Sequence, residues 1–373
     1  MKFKKGYIYK ISGWIIIGII VFFYLLSCFT PYINPSICYL WTFLALGFPV
    51  LFLLMSLVVF TTLFINKKLF IFSLLILLSG YKNFNSSFAY HVFNASIFRG
   101  KTIKVLSWNA DDILNILHPL KPDRLKREKM ISFIKETNAD IVCLQDNTFC
   151  INNNEHINDI TELENLGYKY HVLSSDYISV RNKFDIYGTA IFSKFPIVYS
   201  NKINYKGYNY ESLLYADLNV KGKTIRVFTT HLRSMRLPYE IYYPTEDYNL
   251  SQADTAYIFG KNKFQKLIYF DKRHAEQAIT AKQVLDSTKY PFIFCADLNS
   301  VPASFVYHHI SRGLNDVFLE EGNGFGKTYS EISPTLRIDV VLTSPEFKSL
   351  NYSSPQLKLS DHYPVIATIG LKN

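Results

Sequence analysis

The first hundred residues contain no aspartate or glutamate, against eight basic side chains: Lys2, Lys4, Lys5, Lys10, Lys67, Lys68, Lys82 and Arg99. The other 32 of the chain's 40 basic residues stand against all 30 acidic ones, so residues 101–373 are nearly neutral. That stretch therefore lacks the electrostatic footprint of a broad nucleic-acid-binding surface. Cysteine is scarce, five in 373 residues, and no CxxC or Cys/His spacing suggests zinc. Cys143 and Cys295 fall in buried-strand patterns and read as core, whereas Cys28 and Cys38 flank a short loop and would pair if that side is oxidising. Cys150 has no evident partner. Internal repeats and low-complexity tracts are absent.

Long uncharged runs fill the acid-free region. Ile11–Phe29 is 19 residues without a charge, enough to cross about 30 Å of hydrocarbon at 1.5 Å per residue. Ile37–Ile65 is longer and contains Pro49, which a membrane helix tolerates. Leu69–Gly80 is short and needs the uncharged residues that follow, with Lys82 snorkelling. A cleaved signal peptide would explain only the first run. The expectation is a membrane anchor over residues 1–95, with two or three spans at about 11–29, 37–65 and 69–88. The loop Thr30–Ser36 is uncharged, and lysines lie before the first run and between the second and third. The positive-inside bias then places the N-terminus in the cytoplasm and, with three spans, the rest of the chain on the extracytoplasmic side.

From residue 98 to 373 short apolar runs alternate with helical stretches. Strands are expected at Ile103–Asn109, Ile141–Asp146, Tyr168–Ser174, Thr189–Phe192, Pro291–Asp297, Leu336–Thr343 and Val365–Ile369. A hairpin is expected over Leu213–Val220 and Thr224–His231, around Lys221-Gly222-Lys223. Asp123–Asn138 and His274–Thr288 have helical spacing. Many strands with few long helices fit an α/β sandwich of two packed sheets. Residues 238–270 are crowded with aromatics and read either as two short helices on the sandwich edge or as a lid for an apolar group.

Polar residues recur where these strands end. Asn109, Asp146, His231, Asp297 with Asn299, and the run Ser360-Asp361-His362 stand at five such places, with Asp339 a further buried acid. A buried carboxylate costs several kcal/mol unless a cation, donors or water meet it. Metal-assisted attack on a phosphate ester needs these residue types: carboxylate and amide oxygens for a hard cation, a base for water, and donors for phosphoryl oxygens. Each residue alone is as well explained by a turn or a cap; six such sites together are not.

The ordered series Trp108-Asn109, Leu144-Gln145-Asp146, Thr230-His231-Leu232, Ala296-Asp297-Leu298-Asn299, Arg337-Ile338-Asp339 and Ser360-Asp361-His362-Tyr363-Pro364 resembles the endonuclease/exonuclease/phosphatase superfamily, over roughly residues 101–371. With the apolar N-terminus and Gly324–Tyr329, it is similar to membrane-anchored bacterial members of that superfamily. The resemblance implies a four-layer, DNase I-like α/β sandwich. It also implies Mg²⁺ (or Mn²⁺) held by Asp146, with Asn109 and Asp361 supporting the metal site. By the same resemblance Asp297 orients and deprotonates water, Asn299 positions phosphate or base, His231 donates to a phosphoryl oxygen or leaving group, and His362 contacts the phosphate with Asp339 as its partner. Two departures stand out: Asp146 where the family usually has glutamate, and Ala296 for the usual glycine, which requires an extended backbone there.

The expected function is a membrane-anchored phosphoesterase, acting on a phosphodiester or phosphomonoester. Its partners are a phosphate-ester substrate, lipid-like or nucleic acid, and the membrane, with no obligate protein partner. The alternatives are a nuclease and a catalytically silent domain that binds a phosphate ligand. Fold and motif do not choose the substrate.

Overall fold

The structure, a computed structural model, describes residues 5–91, 98, 100–111, 124–150, 159–178, 185–206, 211–234, 263–331 and 333–372. From β1 onward the chain builds two sheets. The first runs β12–β13–β1–β2–β5–β3, with β4 also on β5, and the second β10–β11–β9–β8–β7–β6. In chain order the first sheet uses β1 (Thr102–Asn109), β2 (Ile141–Cys150), β3 (Tyr170–Leu173), β4 (Tyr177–Ile178), β5 (Asp185–Ser193), β12 (Phe347–Ser353) and β13 (Val365–Leu371). The second uses β6 (Ile197–Asn204), β7 (Ser212–Val220), β8 (Lys223–His231), β9 (Phe292–Asp297), β10 (Asn315–Asp316) and β11 (Asp339–Thr343).

Alternation along the central strands explains the layers. One set of side chains, among them Val105, Cys143, Leu214, Val227, Ile293, Cys295 and Ala367, fills the space between the sheets. The other set turns outward to helices. Leu106, Trp108, Val142 and Leu144 meet Met130 and Ile134 of α5 (Arg124–Thr137). Phe228, Phe294 and Ala296 meet Ala275, Ala278, Ala281 and Leu285 of α7 (Lys263–Asp286), whose alanine stripe admits the aromatic rings. Helix, sheet, sheet and helix make the expected four-layer sandwich. Among the described residues three short helices join the domain: α6 (Asp159–Asn165), α8 (Phe305–Ser311) and α9 (Val317–Glu321). Arg127 on α5 pairs with Asp159 on α6 in full burial, and also with Glu162.

Each sheet holds one parallel pair, β1/β2 and β8/β9. Asn109 stands beside Gln145 in one register and His231 beside Asp297 in the other. Parallel strands end in the same direction, so these carboxyl ends bring polar residues to one edge of the sandwich.

The N-terminal unit packs α1 (Lys5–Ser27), α2 (Leu40–Leu63) and α3 (Lys67–Ser79), followed by α4 (Tyr81–Ser87). Asn66 caps α3 by accepting from the backbone of Lys68. The third apolar stretch is broken at Gly80, where a Cβ would lie 2.1 Å from the Tyr24 hydroxyl, so α3 and α1 close there only around a glycine. Among the described residues, Leu40–Leu63 is the one helix long and apolar enough to cross a membrane, and Ile11–Ser27 is a shorter apolar helix.

Several expectations need correction. Leu336–Ile338 lie outside β11, because the amides of Ile338 and Asp339 bond the Thr328 hydroxyl instead of a neighbouring strand. The helix expected from His274 begins at Lys263, so residues 263–270 of the aromatic stretch belong to α7; residues 238–262 lie outside the described residues. Cys28 and Cys38 are both free thiols, whereas Cys143 and Cys295 are buried core as expected.

Candidate functional site

Asp297, the last residue of β9, is wholly buried, and every neighbour of its carboxylate is polar. Oδ1 accepts from the Asn299 amide at 2.8 Å and Oδ2 from Asn109 Nδ2 at 2.9 Å. His231 Nε2 lies 3.5 Å and His362 Nε2 3.7 Å from Oδ2. Burial raises its pKa to about 6; the neighbouring His362 and His231 oppose the rise and the Asp339 carboxylate adds to it. Ala296 sits in the extended strand without a positive φ, which meets the requirement its side chain imposes.

His362 is positioned by a chain of small contacts. Its amide donates to Ser360 Oγ at 3.0 Å, Ser360 Oγ donates to the Asn109 carbonyl at 2.9 Å, and Trp108 Nε1 donates to the His362 carbonyl at 3.0 Å. Nδ1 donates to Asp339 Oδ2 at 2.9 Å, while Asp339 pairs with Asp297 across β9 and β11. Burial pulls the imidazole pKa down, but the Asp339 and Asp297 carboxylates outweigh it and hold the ring protonated well above its ordinary range. The Tyr329 ring stands edge-on at 5.0 Å, and burial holds its hydroxyl in the neutral form.

Asp146 differs from the expectation of a strand end. The strand runs on to Cys150, and a register shift between Leu144 and Asn147 opposite β5 leaves Asp146 at a bulge with φ +48°. Such a conformation costs a β-carbon-bearing residue about 1–3 kcal/mol and re-aims its side chain out of the sheet. The Tyr187 hydroxyl donates to Asp146 Oδ1. Asp146, Tyr187 and His231 line one cleft together with Asp176 and Glu211. Asp361, less buried, reaches within 3.9 Å of His362 Nε2.

The structure thus gathers Asn109, His231, Asn299, Asp339, Asp361 and His362 around Asp297, while Asp146 lines a neighbouring cleft that shares His231 with this group. Two differ in detail from expectation. Asn109 spends its amide on Asp297 and its Oδ1 on the Asp111 amide. Asn299, at φ +46°, turns its amide to the Leu232 carbonyl at 2.8 Å, tying the end of β8 to the end of β9.

Three supports escaped sequence reading. Gln145 donates to Ser107 of one sheet and Thr229 of the other, each at 3.0 Å, joining the sheets beside the site. Tyr187 holds Asp146. His274 of α7 contacts the Arg233 carbonyl through Nε2 at 2.6 Å, and Gln277 accepts from the Arg233 amide, fixing the chain beyond His231. Burial lowers the His274 pKa to about 4, so it remains neutral. The available signal was His274 and Gln277, polar residues set into the alanine stripe of α7.

The donors are carboxylates, amides and imidazoles, the oxygen-rich set that suits Mg²⁺ or Mn²⁺. Asp297, Asp339 and His362 offer ligand atoms within 4.8 Å of one another, and the buried Asp339 Oδ1 has no hydrogen-bond partner. A divalent cation fits this chemistry. His362 fits less well as a ligand, because both ring nitrogens face carboxylates that keep it protonated.

A family model described as endonuclease/exonuclease/phosphatase family matches residues 106–362. Residues 9–87 match a domain of unknown function (DUF8431). Among solved structures, the endonuclease/exonuclease/phosphatase from Beutenbergia cavernae DSM 12333 is 18% identical, with TM-score 0.52 over 73% of this chain and 72% of that one. The human nocturnin catalytic domain with bound sulfate is 15% identical, with TM-score 0.50 over 73% of this chain and 95% of that one. A family protein from Bacteroides thetaiotaomicron is 14% identical, with TM-score 0.51 over 74% and 100%. At these identities the likeness establishes the fold. No curated protein matches the chain.

Proposed function

The chain belongs to the endonuclease/exonuclease/phosphatase family, and on that premise we propose that it is a membrane-anchored hydrolase of phosphate esters that depends on a divalent cation, Mg²⁺ or Mn²⁺. One observation carries this reading: a buried carboxylate with pKa about 6 lies beside an imidazole that a second carboxylate holds protonated. Base and acid of separated pKa in one site are what water attack on an ester requires.

Asp297, ionised at neutral pH, takes the proton of the attacking water. Asn109 and the Asn299 amide fix the orientation of its two oxygens. His362 presents Nε2–H to a non-bridging phosphoryl oxygen, and Asp339 holds the ring by Nδ1. His231, 3.5 Å from Asp297, serves as a second donor toward the phosphate or the leaving oxygen. Asn109, Asp146 and Asp361 would hold the cation, which neutralises negative charge developing on the phosphoryl oxygens. The exposed apolar faces of α1–α3 and the uncharged runs of the N-terminal region support the anchor.

The test is hydrolysis of a generic phosphodiester and a phosphomonoester by the detergent-solubilised full chain, in Mg²⁺ and in Mn²⁺. Replacing Asp297→Asn should lower turnover about 10²–10⁴-fold, the usual worth of a general base. A folded protein without turnover on either ester in either metal would instead point to a phosphate-ligand-binding domain.

A further inference from the structure

Resting on the phosphoesterase reading, we infer that the ester cleaved is carried by a lipid of the same bilayer that holds the apolar helices. The domain does not hang from its anchor by a tether. Three short chain segments join anchor contacts to site residues.

Ala303 is buried among Tyr24, Phe48, Met55 and Ile76 of α1–α3, and its carbonyl accepts from Thr30 Oγ1 at 2.6 Å. It lies four residues beyond Asn299. Arg337, wholly buried and paired with Asp316 at 2.8 Å, donates to the Ser86 carbonyl of α4 at 2.9 Å. It lies two residues before Asp339. The Phe325 ring stands edge-on to Phe88 at 5.2 Å, and the backbones of Ala89 and Gly324 bond each other at 2.9 and 2.8 Å. Phe325 lies four residues before Tyr329, which contacts His362. Four residues reach at most about 14 Å when extended, so the backbones of Asn299, Asp339 and Tyr329, which border the reacting groups, each sit within that reach of a contact with the N-terminal helices.

The seam is polar. Ser86 Oγ donates to the Pro302 carbonyl at 3.1 Å, and Asn83, which donates to the Ser27 carbonyl at 2.7 Å, also reaches Thr30 Oγ1 at 3.2 Å, the hydroxyl that donates to the Ala303 carbonyl. Buried directional contacts of this kind favour one docking geometry.

The same end of the helices carries the side chains that settle at a headgroup layer. Tyr32, Tyr39 and Tyr81 are exposed there, and Lys82 Nζ stands 4.0 Å over the Tyr32 ring. Between this end and Lys67 and Lys68 at the other, Leu53, Leu57, Phe72 and Leu75 face outward, an apolar surface that lipid tails cover without cost. The headgroup plane and the catalytic rim therefore lie at one level. A lipid phosphate reaches the site by lateral diffusion. A nucleic acid would have to arrive from bulk water at a nearly neutral domain whose net charge does not draw it in.

The experiment uses the full chain reconstituted into vesicles of phosphatidylcholine, phosphatidylglycerol, phosphatidylethanolamine and phosphatidic acid, with Mg²⁺ or Mn²⁺ present. Phosphorus NMR follows headgroup cleavage in the enzyme's own vesicles, in separate vesicles, and in the deacylated water-soluble esters, with single-stranded RNA alongside. Confinement to one surface should make cleavage in the enzyme's own vesicles at least about tenfold faster than in separate vesicles or on the soluble esters. Equal rates, or preference for the soluble esters or RNA, overturn the lipid assignment. If that turnover is abolished by Asp297→Asn, the phosphoesterase reading survives the loss. No turnover on any substrate overturns both.

Discussion

Asp339→Asn isolates the part of the site that controls protons. Asp339 Oδ2 accepts from His362 Nδ1 at 2.9 Å, and its charge acts on both neighbours, raising His362 and raising Asp297. A hydrogen bond to a charged group contributes about 1.5–3 kcal/mol. At 1.36 kcal/mol per factor of ten, its loss should lower kcat/KM about 10- to 100-fold. The pH profile is the sharper readout, because kcat/KM reports ionisations of the free enzyme. The rising limb follows ionisation of Asp297 near pH 6, and the falling limb follows loss of the His362 proton, well above that residue's ordinary range. Removing the Asp339 charge takes away what raises each group, so both limbs should move to lower pH. The assay is hydrolysis of a generic phosphodiester at saturating cation, with circular dichroism to show the fold retained. A uniform loss with both limbs in place would refute the proton-control role and leave Asp339 a purely steric support. An unchanged rate would refute its involvement altogether.

Two further outcomes follow from other contacts. Tyr187→Phe removes the hydroxyl that holds Asp146 at its bulge, so the Mg²⁺ concentration giving half-maximal activity should rise about 10- to 100-fold, as for other partners of metal ligands. A metal titration superposing on the parent's would mean that Asp146 needs no such support. Arg127→Ala leaves the fully buried Asp159 carboxylate without its guanidinium; urea unfolding should show a loss of about 3–5 kcal/mol, and a loss below about 1 kcal/mol would mean that water reaches the pair.

β9 was legible because it is buried on both faces and reads as an unbroken apolar run closed by Asp297; β1 and the first half of β2 carry shorter runs of the same kind, and β8 was legible through its turn at Lys221-Gly222-Lys223. The motif residues at their ends were legible for the same reason: a polar side chain against such a core is conspicuous. The edge strands β6 and β12 were not. β6 exposes Val198 and Tyr199 and alternates irregularly, and β12 shifts register between Ser349 and Asn351, so neither shows a period of two. The start of β5 was hidden because the strand continues through Gly188, a residue that ordinarily marks a stop. The bulge at Asp146 was invisible for a related reason. A single inserted residue leaves no mark on composition, yet it decides whether the side chain stands at an end or within a strand. The docking of the N-terminal helices could not be read either, since Thr30, Ser86 and Ala303 carry no signal apart and meet their partners, Arg337 among them, only across the fold.

On the proposed reading, charge alone gives the site a reason to hold a cation. Three carboxyl groups, on Asp297, Asp339 and Asp361, face the His362 ring, Asp146 lines the adjoining cleft at His231, and the protonated His362 ring already balances Asp339. A phosphate ester brings further negative charge against what remains. Two like unit charges 4 Å apart at the effective dielectric near a protein surface repel by about 4 kcal/mol, enough to keep the substrate out. Asn109 and His231, both turned toward Asp297, do not offset several such terms. A divalent ion among the carboxylates reverses the balance and makes the same groups attractive to phosphate. The aspartate at 146 in place of the family's usual glutamate shortens the reach of one donor by a methylene. It leaves the negative charge at that position, and with it this argument for an ion, intact.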